Sequence, residues 1–321
     1  MAQPIVAYTP WSGPSGWTTP GSRTRKIKAT TASGAHTSHR DCGVPLAARG
    51  SVEVVWERGV KVGAKLASVT ERRGAPEVSL IMPCYDEQHV IPYTIPQLVE
   101  AFEQAGHRLE VVACDNGSHD RTGAIIQEFV AKGLPLVYHR IERNQGYGNG
   151  ILQALPRCAA PWIGIIHADG QVDAADAARL FEALKHGEPT VLGKVRRRFR
   201  LDGFTRKVIS VLYNGFVFLL WPRLGSIDIN GSPKIVHRDV LQAMDLQSKD
   251  WFIDPELMIK AHYLGVRVLE MNVFARMRSN GLSHVRASAC VEFFANLLRY
   301  RFGGALREWR RRQPAAPLRA H

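Results

Sequence analysis

Ile165-Ile166-His167-Ala168-Asp169-Gly170-Gln171 is an apolar run that ends in an acidic, amide-bearing turn. With PWIG (161–164) before it, the run reads as a buried strand stopped by Asp-Gly. Such a strand delivers Asp169 and Gln171 together at its carboxyl end. They are two hard oxygen donors, suited to Mg2+ or Mn2+ that already carries a diphosphate. The plain alternative is an ordinary strand and turn. The flanking sequence weighs between the two.

Working outward, EVSLIMPCYDE (77–87) reads as a buried strand with its exit loop, and HVIPYTIPQLVEAFEQAG (89–106) as a helix. LEVVACDNGS (109–118) is a second strand. DRTGAIIQEFVAKG (120–133) is a helix with Asp120 as its cap, and LPLVYHRI (134–141) a third strand. NQGYGNGILQALPRC (144–158) begins glycine-rich and becomes helical. The strand ending at Gln171 is the fourth, a helix over Asp173–His186 follows, and TVLGKVR (190–196) is a fifth strand. Continuous apolar strands alternating with helices predict an α/β fold with a mostly parallel sheet covered on both faces. Ligands of such sheets gather at the carboxyl ends of the strands. MPCYDE, CDNGS and HADGQ all fall there.

At 321 residues, 45% hydrophobic and 22% charged, the chain has the composition of a globular protein with a sizeable core. Five scattered cysteines without a C-x-x-C pair argue against a disulfide frame or a zinc site and for a reducing compartment. The charge of +13 sits at the ends. Residues 1–76 carry 11 Lys/Arg against 4 Asp/Glu, residues 286–321 carry 8 against 2, and residues 77–285 hold 23 of each. A neutral centre without basic–aromatic interleaving excludes a nucleic-acid module there. Basic ends fit an anionic membrane surface or solvated tails. Residues 1–76 read as a disordered basic arm.

The order MPCYDE, CDNGSHDRT, NQGYGNGILQA and HADGQ resembles glycosyltransferase family 2, and within it the polyprenol-phosphate (dolichol-phosphate) mannose synthase branch. DINGSPKIVHRDVL (228–241) and the stretch from Asp250 to Arg278-x-x-Gly281-x-Ser283 extend the likeness, which covers roughly residues 77–285. It implies a Rossmann-like GT-A fold, a GDP- or UDP-sugar donor and Mg2+ or Mn2+ as cofactor. By resemblance, Asp115 accepts a hydrogen bond from the base. Pro83, Tyr85 and Glu87 shape the base and ribose loop, and Gly146, Ala168 and Asp169 complete the nucleotide-sugar contacts. Asp169 and Gln171 are the metal ligands. The glycines around Gly146 fit helix packing equally well. Three departures stand out: His167 replaces the first acid of the usual Asp-x-Asp, Asn116 replaces a second Asp, and His284 replaces a Lys.

On the acceptor side, Arg196 to Arg200 follow the fifth strand. Arg198 and Arg200, with Arg276 and Ser283, are the candidates to hold an acceptor phosphate. Asp254 in FIDPEL is the first candidate base for a hydroxyl acceptor, and Glu256 matches the family's acidic position by register. The alternative for either acid is a cap on the following helix. Arg278 stabilises the leaving diphosphate. Val208–Trp221 is too short to span a membrane and reads as a core helix or one lying at a membrane surface. Residues 286–321 read as a basic amphipathic helix and tail, either anchoring to anionic lipid or docked on the domain. The expectation is an inverting transferase, peripheral at the cytoplasmic membrane face, that uses a polyprenyl phosphate acceptor. The alternatives are transfer to a hydroxyl of a soluble, glycan or natural-product acceptor, and a non-catalytic binding protein.

Overall fold

The computed structural model describes residues 74–200, 204–275 and 287–313. The expected basic arm and the last residues of the tail lie outside them. Strands β1 (Val78–Cys84), β2 (Leu109–Asn116), β3 (Leu136–Ile141) and β4 (Trp162–Ile165) form as the apolar runs predict. They alternate with helices α1 (Ile91–Gln104), α2 (Thr122–Ala131) and α3 (Tyr147–Ala154). Then come α4 (Ala174–Lys185), β5 (Val191–Arg200), α5 (Phe204–Leu220), β6 (Lys234–His237) and α6 (Arg238–Met244). The remaining elements are α7 (Ile253–Tyr263), β7 (Arg267–Ala275), α8 (Ala287–Phe302) and α9 (Gly304–Arg312).

Seven strands pair in the order β3-β2-β1-β4-β6-β5-β7. β1, β2, β3 and β4 are mutually parallel, β6 is antiparallel to both neighbours, and β5 runs parallel to β7. The mostly parallel sheet flanked by helices is the one expected. Alternate strand residues enter two cores, because successive side chains point to opposite faces. Val78, Leu80, Met82, Val111 and Ala113 pack beneath α1, α2 and α4. Ile81, Val112, Cys114, Ile163 and Ile165 pack on the opposite face, in one core with residues of α3 and α5 to α9.

Several expectations are corrected. β4 ends at Ile165, so the HADGQ segment lies beyond the strand, with its turn at Ala168 and Asp169. β5 continues through Arg200, so the arginines expected in a loop lie on the strand, paired with β7. The C-terminal segment is two helices rather than one, separated at Gly303. Leu306 and Trp309 of α9 are buried in the domain core. Lys260 lies over the Trp309 ring and Arg310 over Tyr263. The apolar face of α9 is therefore used up within the molecule.

Candidate active site

The order of strand addition reverses at β1, with β2 and β3 on one side and β4 on the other, and the carboxyl ends of strands at such a switch point are where ligands of these sheets gather. The β1 and β2 tips meet there and are laced by side chain to backbone hydrogen bonds. The amides of Asp86, Glu87 and Gln88 donate to Ser118 Oγ, Thr122 Oγ1 and Asp120 Oδ2 at 3.1, 2.8 and 3.1 Å. In return the His119 amide donates to Asp86 Oδ1 at 2.8 Å. Asp115 is fully buried where β2 ends. Its Oδ1 accepts the Ser118 amide at 2.9 Å, and its Oδ2 accepts from Arg140 Nη1 at 2.7 Å and from the Tyr138 hydroxyl at 3.2 Å. An ionised carboxylate has about four acceptor positions. Three donors leave capacity for one more, on Oδ1.

The β4 turn lies beside this loop pair. Asp169 Oδ1 accepts the Gln171 amide at 3.1 Å, which folds the turn onto its own acid. Asp169, Gln171, His167, Ile166, Val172, Arg197 and Ser232 line a narrow cleft. His167 Nε2 is 2.9 Å from the Tyr147 hydroxyl. Burial pushes the imidazole below its ordinary value, against the pull of Asp169 and Asp254. A neutral ring tied to Tyr147 through Nε2 does not offer that nitrogen to an ion. Tyr147 in turn stacks on Trp251, with ring centres 4.4 Å apart and planes at 12°. Three distant loops are thereby joined by one aromatic column.

The glycines of NQGYGNG serve that column. A Cβ on Gly146 or Gly148 would come within 2.3 Å of Lys249 O or 2.2 Å of Ser248 O. They allow the backbone of 248–250 to lie directly on α3, where the Asn149 amide donates to Lys249 O at 2.8 Å. Of the two readings of this run, packing explains Gly146 and Gly148.

The acceptor side is built from buried charge. Arg197 donates Nε and Nη2 to the two oxygens of Asp228, both at 3.0 Å. Burial works against the Asp228 charge, yet the Arg197 fork and Lys194 hold its carboxyl well below the usual carboxylate range. Lys234, on β6, is paired with Asp254, and both are buried. The first candidate base therefore has a cationic partner at its oxygen. Glu256 sits on the same helix but serves a different neighbourhood. It accepts from Lys260 Nζ at 2.6 Å and from the amides of Gln247 and Ser248. It thus holds the 245–250 loop, and the two acids do not converge on one point. Neither caps α7 with its side chain.

Tyr85 is half-buried at the β1 tip, edge-on to His119, and Pro83 and Glu87 flank it. Ala168 is buried under the turn. Arg198 and Arg200 are on β5, and their side chains lie outside the described ones. Arg276, Arg278 and Ser283 lie outside the described residues altogether. Residue-by-residue reading missed Tyr147, Lys194, Lys234 and Asp228. It named Arg197 only as one of a basic run. A tyrosine inside a glycine run and two lysines in otherwise apolar strands were the available signals.

Asp169 and Gln171 suit a divalent ion of the oxygen-seeking kind. Among the described residues no group of three or more His, Cys, Asp or Glu could hold a metal. The described residues thus offer few ligands, as Mg2+ sites do when substrate phosphates and water complete the shell.

Comparison with known proteins bears on the family and the fold. The sequence profile described as Glycosyl transferase family 2 matches residues 79–253. An uncharacterised glycosyltransferase of Mycobacterium bovis is 27% identical over 216 residues, 66% of this chain and 90% of that protein. An undecaprenyl-phosphate 4-deoxy-4-formamido-L-arabinose transferase of Aeromonas hydrophila is 31% identical over 138 residues, 43% of this chain and 42% of that one. Among solved structures, glucosyl-3-phosphoglycerate synthase of Mycobacterium tuberculosis, in complex with Mn2+, UDP and glucosyl-3-phosphoglycerate, has a similar fold. Its TM-score is 0.55 at 18% identity, covering 70% of this chain and 80% of that one.

Proposed function

The chain belongs to glycosyl transferase family 2, and on that premise we propose that it moves a sugar, with inversion, from a UDP- or GDP-sugar to a polyprenyl phosphate at a cytoplasmic membrane face. The observation that carries this reading is the cleft in which Asp169 and Gln171 face Arg197 and Ser232. It offers an acid and an amide for a metal–diphosphate and a guanidinium for phosphate oxygen. Mg2+ or Mn2+ on Asp169 and Gln171 would neutralise the departing diphosphate. Asp115 and the loop from Pro83 to Glu87 hold base and ribose, and by the family resemblance Arg278 stabilises the leaving diphosphate.

A phosphate acceptor brings its own oxyanion, so no residue has to deprotonate it. The Lys234–Asp254 pair agrees with that, because the Asp254 carboxylate is engaged by a lysine on β6 and a general base must instead reach the proton it removes. The Aeromonas relative is an undecaprenyl-phosphate transferase, which supports a lipid-phosphate acceptor. So does α5, whose Val211, Leu212, Phe218 and Leu219 are 61–72% exposed. These residues recur at helical spacing on one face, while Tyr213 and Val217 are buried on the other. Among the described residues no helix is long and apolar enough to cross a membrane. In this reading α5 lies on the bilayer surface and leads the lipid phosphate to the cleft.

The test is a screen of UDP- and GDP-sugars with Mn2+ or Mg2+, with and without polyprenyl phosphate. Release of nucleoside diphosphate that depends on the lipid supports the proposal. No consumption of any donor under any of these conditions refutes it.

A further inference from the structure

The cleft contains one cation whose position the rest of the molecule determines. Arg197 is on β5, with its side chain only 10% exposed. Its backbone amide, Nε and Nη2 all donate to the Asp228 carboxylate, at 3.2, 3.0 and 3.0 Å. A guanidinium has five N–H bonds. Two point back to Asp228, no other hydrogen bond of the side chain is found among the described residues, and Asp169 and Asp254 act on it through their charge. The fork is therefore fixed from behind, on a residue that lines the same cleft as Asp169, Gln171 and Ser232.

Asp228 is itself held. Lys194 Nζ donates to the Asp228 carbonyl, to Ser226 Oγ at 3.0 Å and to Glu270 Oε1 at 2.9 Å. Ser226 Oγ donates to the same Glu270 oxygen at 2.7 Å. One fully buried ammonium on β5 thus ties the 226–228 turn to β5 and to β7. The turn presses on the strand closely enough to require glycine. A Cβ on Gly231 would lie 2.1 Å from Val195 O and 3.1 Å from both Asp228 Oδ2 and Lys194 Nζ. Ser232 Oγ then donates to Ile165 O at 3.0 Å, which fixes the other end of the turn to the β4 strand that leads into Asp169.

Burying two cations and Asp228, with Glu270 partly buried beside them, is expensive, and apolar residues of similar volume would often stabilise a fold as well or better. Placing them behind a single cleft-lining guanidinium suits a task of orientation. A planar fork held from one edge presents its other edge to an oxyanion, as bidentate phosphate recognition requires. We propose that Arg197 binds a phosphate group of a substrate in this cleft and that Asp228 and Lys194 are positioning residues for it. The phosphate belongs either to the donor diphosphate or to the acceptor phosphate. The inference rests on the transferase reading.

The experiment compares wild type with Arg197→Lys, Arg197→Ala, Asp228→Asn and Lys194→Met. Calorimetry reads the binding of UDP and GDP, with Mn2+, against the bare nucleosides. Steady-state kinetics reads the polyprenyl phosphate KM. If the donor diphosphate is the ligand, Arg197→Ala weakens nucleotide binding about ten- to hundredfold and leaves the nucleoside unchanged. If the acceptor phosphate is the ligand, nucleotide binding holds and the acceptor KM rises by a similar factor. Asp228→Asn and Lys194→Met follow the same pattern, a split that general loosening of the fold would not produce. Arg197→Lys, which keeps charge and bulk but loses the fork, guards against misfolding of the alanine variant. Unchanged phosphate binding and acceptor KM in folded Arg197→Lys and Arg197→Ala overturn the inference. Wild-type protein that binds no nucleotide and transfers no sugar overturns the transferase reading beneath it.

Discussion

The half of the sheet formed by β3, β2, β1 and β4 and the half formed by β6, β5 and β7 hold their loops by different means. At the tips of β1 and β2, backbone amides donate to Ser118, Thr122, Asp120 and Asp86. The ion pair there, Arg140 with Asp115, keeps its arginine side chain 42% exposed. Between residues 194 and 270 the equivalent work falls to ions out of water: Lys194–Glu270, Arg197–Asp228, Lys234–Asp254 and Lys260–Glu256. Side chain to amide bonds cost little and fix a loop for a flat, neutral base. Buried pairs carry a desolvation penalty, and they leave a local field that a charged group entering the cleft must meet. The contrast suits a nucleoside on one side and phosphate on the other.

Four changes break or sharpen this contrast. The largest effect is expected at the boundary, where Asp169→Ala should lower transfer by about a thousandfold with little change in melting temperature. Near wild-type turnover would remove Asp169 from the chemistry. Next, Glu256→Gln leaves the buried Lys260 without its carboxylate and should cost about 3–5 kcal/mol in urea unfolding. A loss under about 1 kcal/mol would show that the loop amides, rather than the ion, dominate there.

The third change concerns Lys194. Burial, aided by the charge of Lys234, lowers its pKa to about 8. Between about 8 and the ordinary lysine value the unfolded chain binds the proton and the folded one does not. Stability attributable to this group therefore rises with pH across that window, by up to about 3 kcal/mol. The check is the pH dependence of the stability difference between wild type and Lys194→Met. A flat difference means that the ammonium is not penalised by burial. The smallest effect on stability is expected on α5. Leu212→Ser with Phe218→Ser should change the unfolding free energy by no more than about 0.5 kcal/mol, because both residues are exposed. The same variant should weaken binding to anionic vesicles about tenfold or more. Unaltered vesicle binding would remove α5 from the membrane surface.

The first half was readable because its signals are contiguous. Each parallel strand is an unbroken apolar run, and MPCYDE and CDNGS each carry a whole strand tip. The second half hides its signals. β6 is four residues long and starts with a lysine, so its pattern says neither strand nor core. β5 runs on through arginines that read as loop, because charge ordinarily marks the surface. Apart from Lys260 and Glu256, one helical turn apart, the buried ion pairs here join residues far apart along the chain. Lys194 and Glu270 are 76 positions apart, and nothing local links them. Asp254 and Glu256 looked like one acidic motif, yet the first turns to β6 and the second to Lys260 and the 247–248 amides. The tie between Tyr147 and His167 was hidden in the same way, by a separation of 20 positions.

The central claim, that the second half is built for an acceptor that is already an anion, is tested most directly by the turnover of Asp254→Asn on polyprenyl phosphate at saturating donor, with the folded state confirmed by circular dichroism. Loss of a required general base lowers a rate about 10²–10⁴-fold. The account predicts turnover within about tenfold of wild type, since the carboxylate pairs with Lys234 and deprotonates nothing. A loss near a thousandfold in the folded variant would contradict it and identify Asp254 as the base for a hydroxyl acceptor.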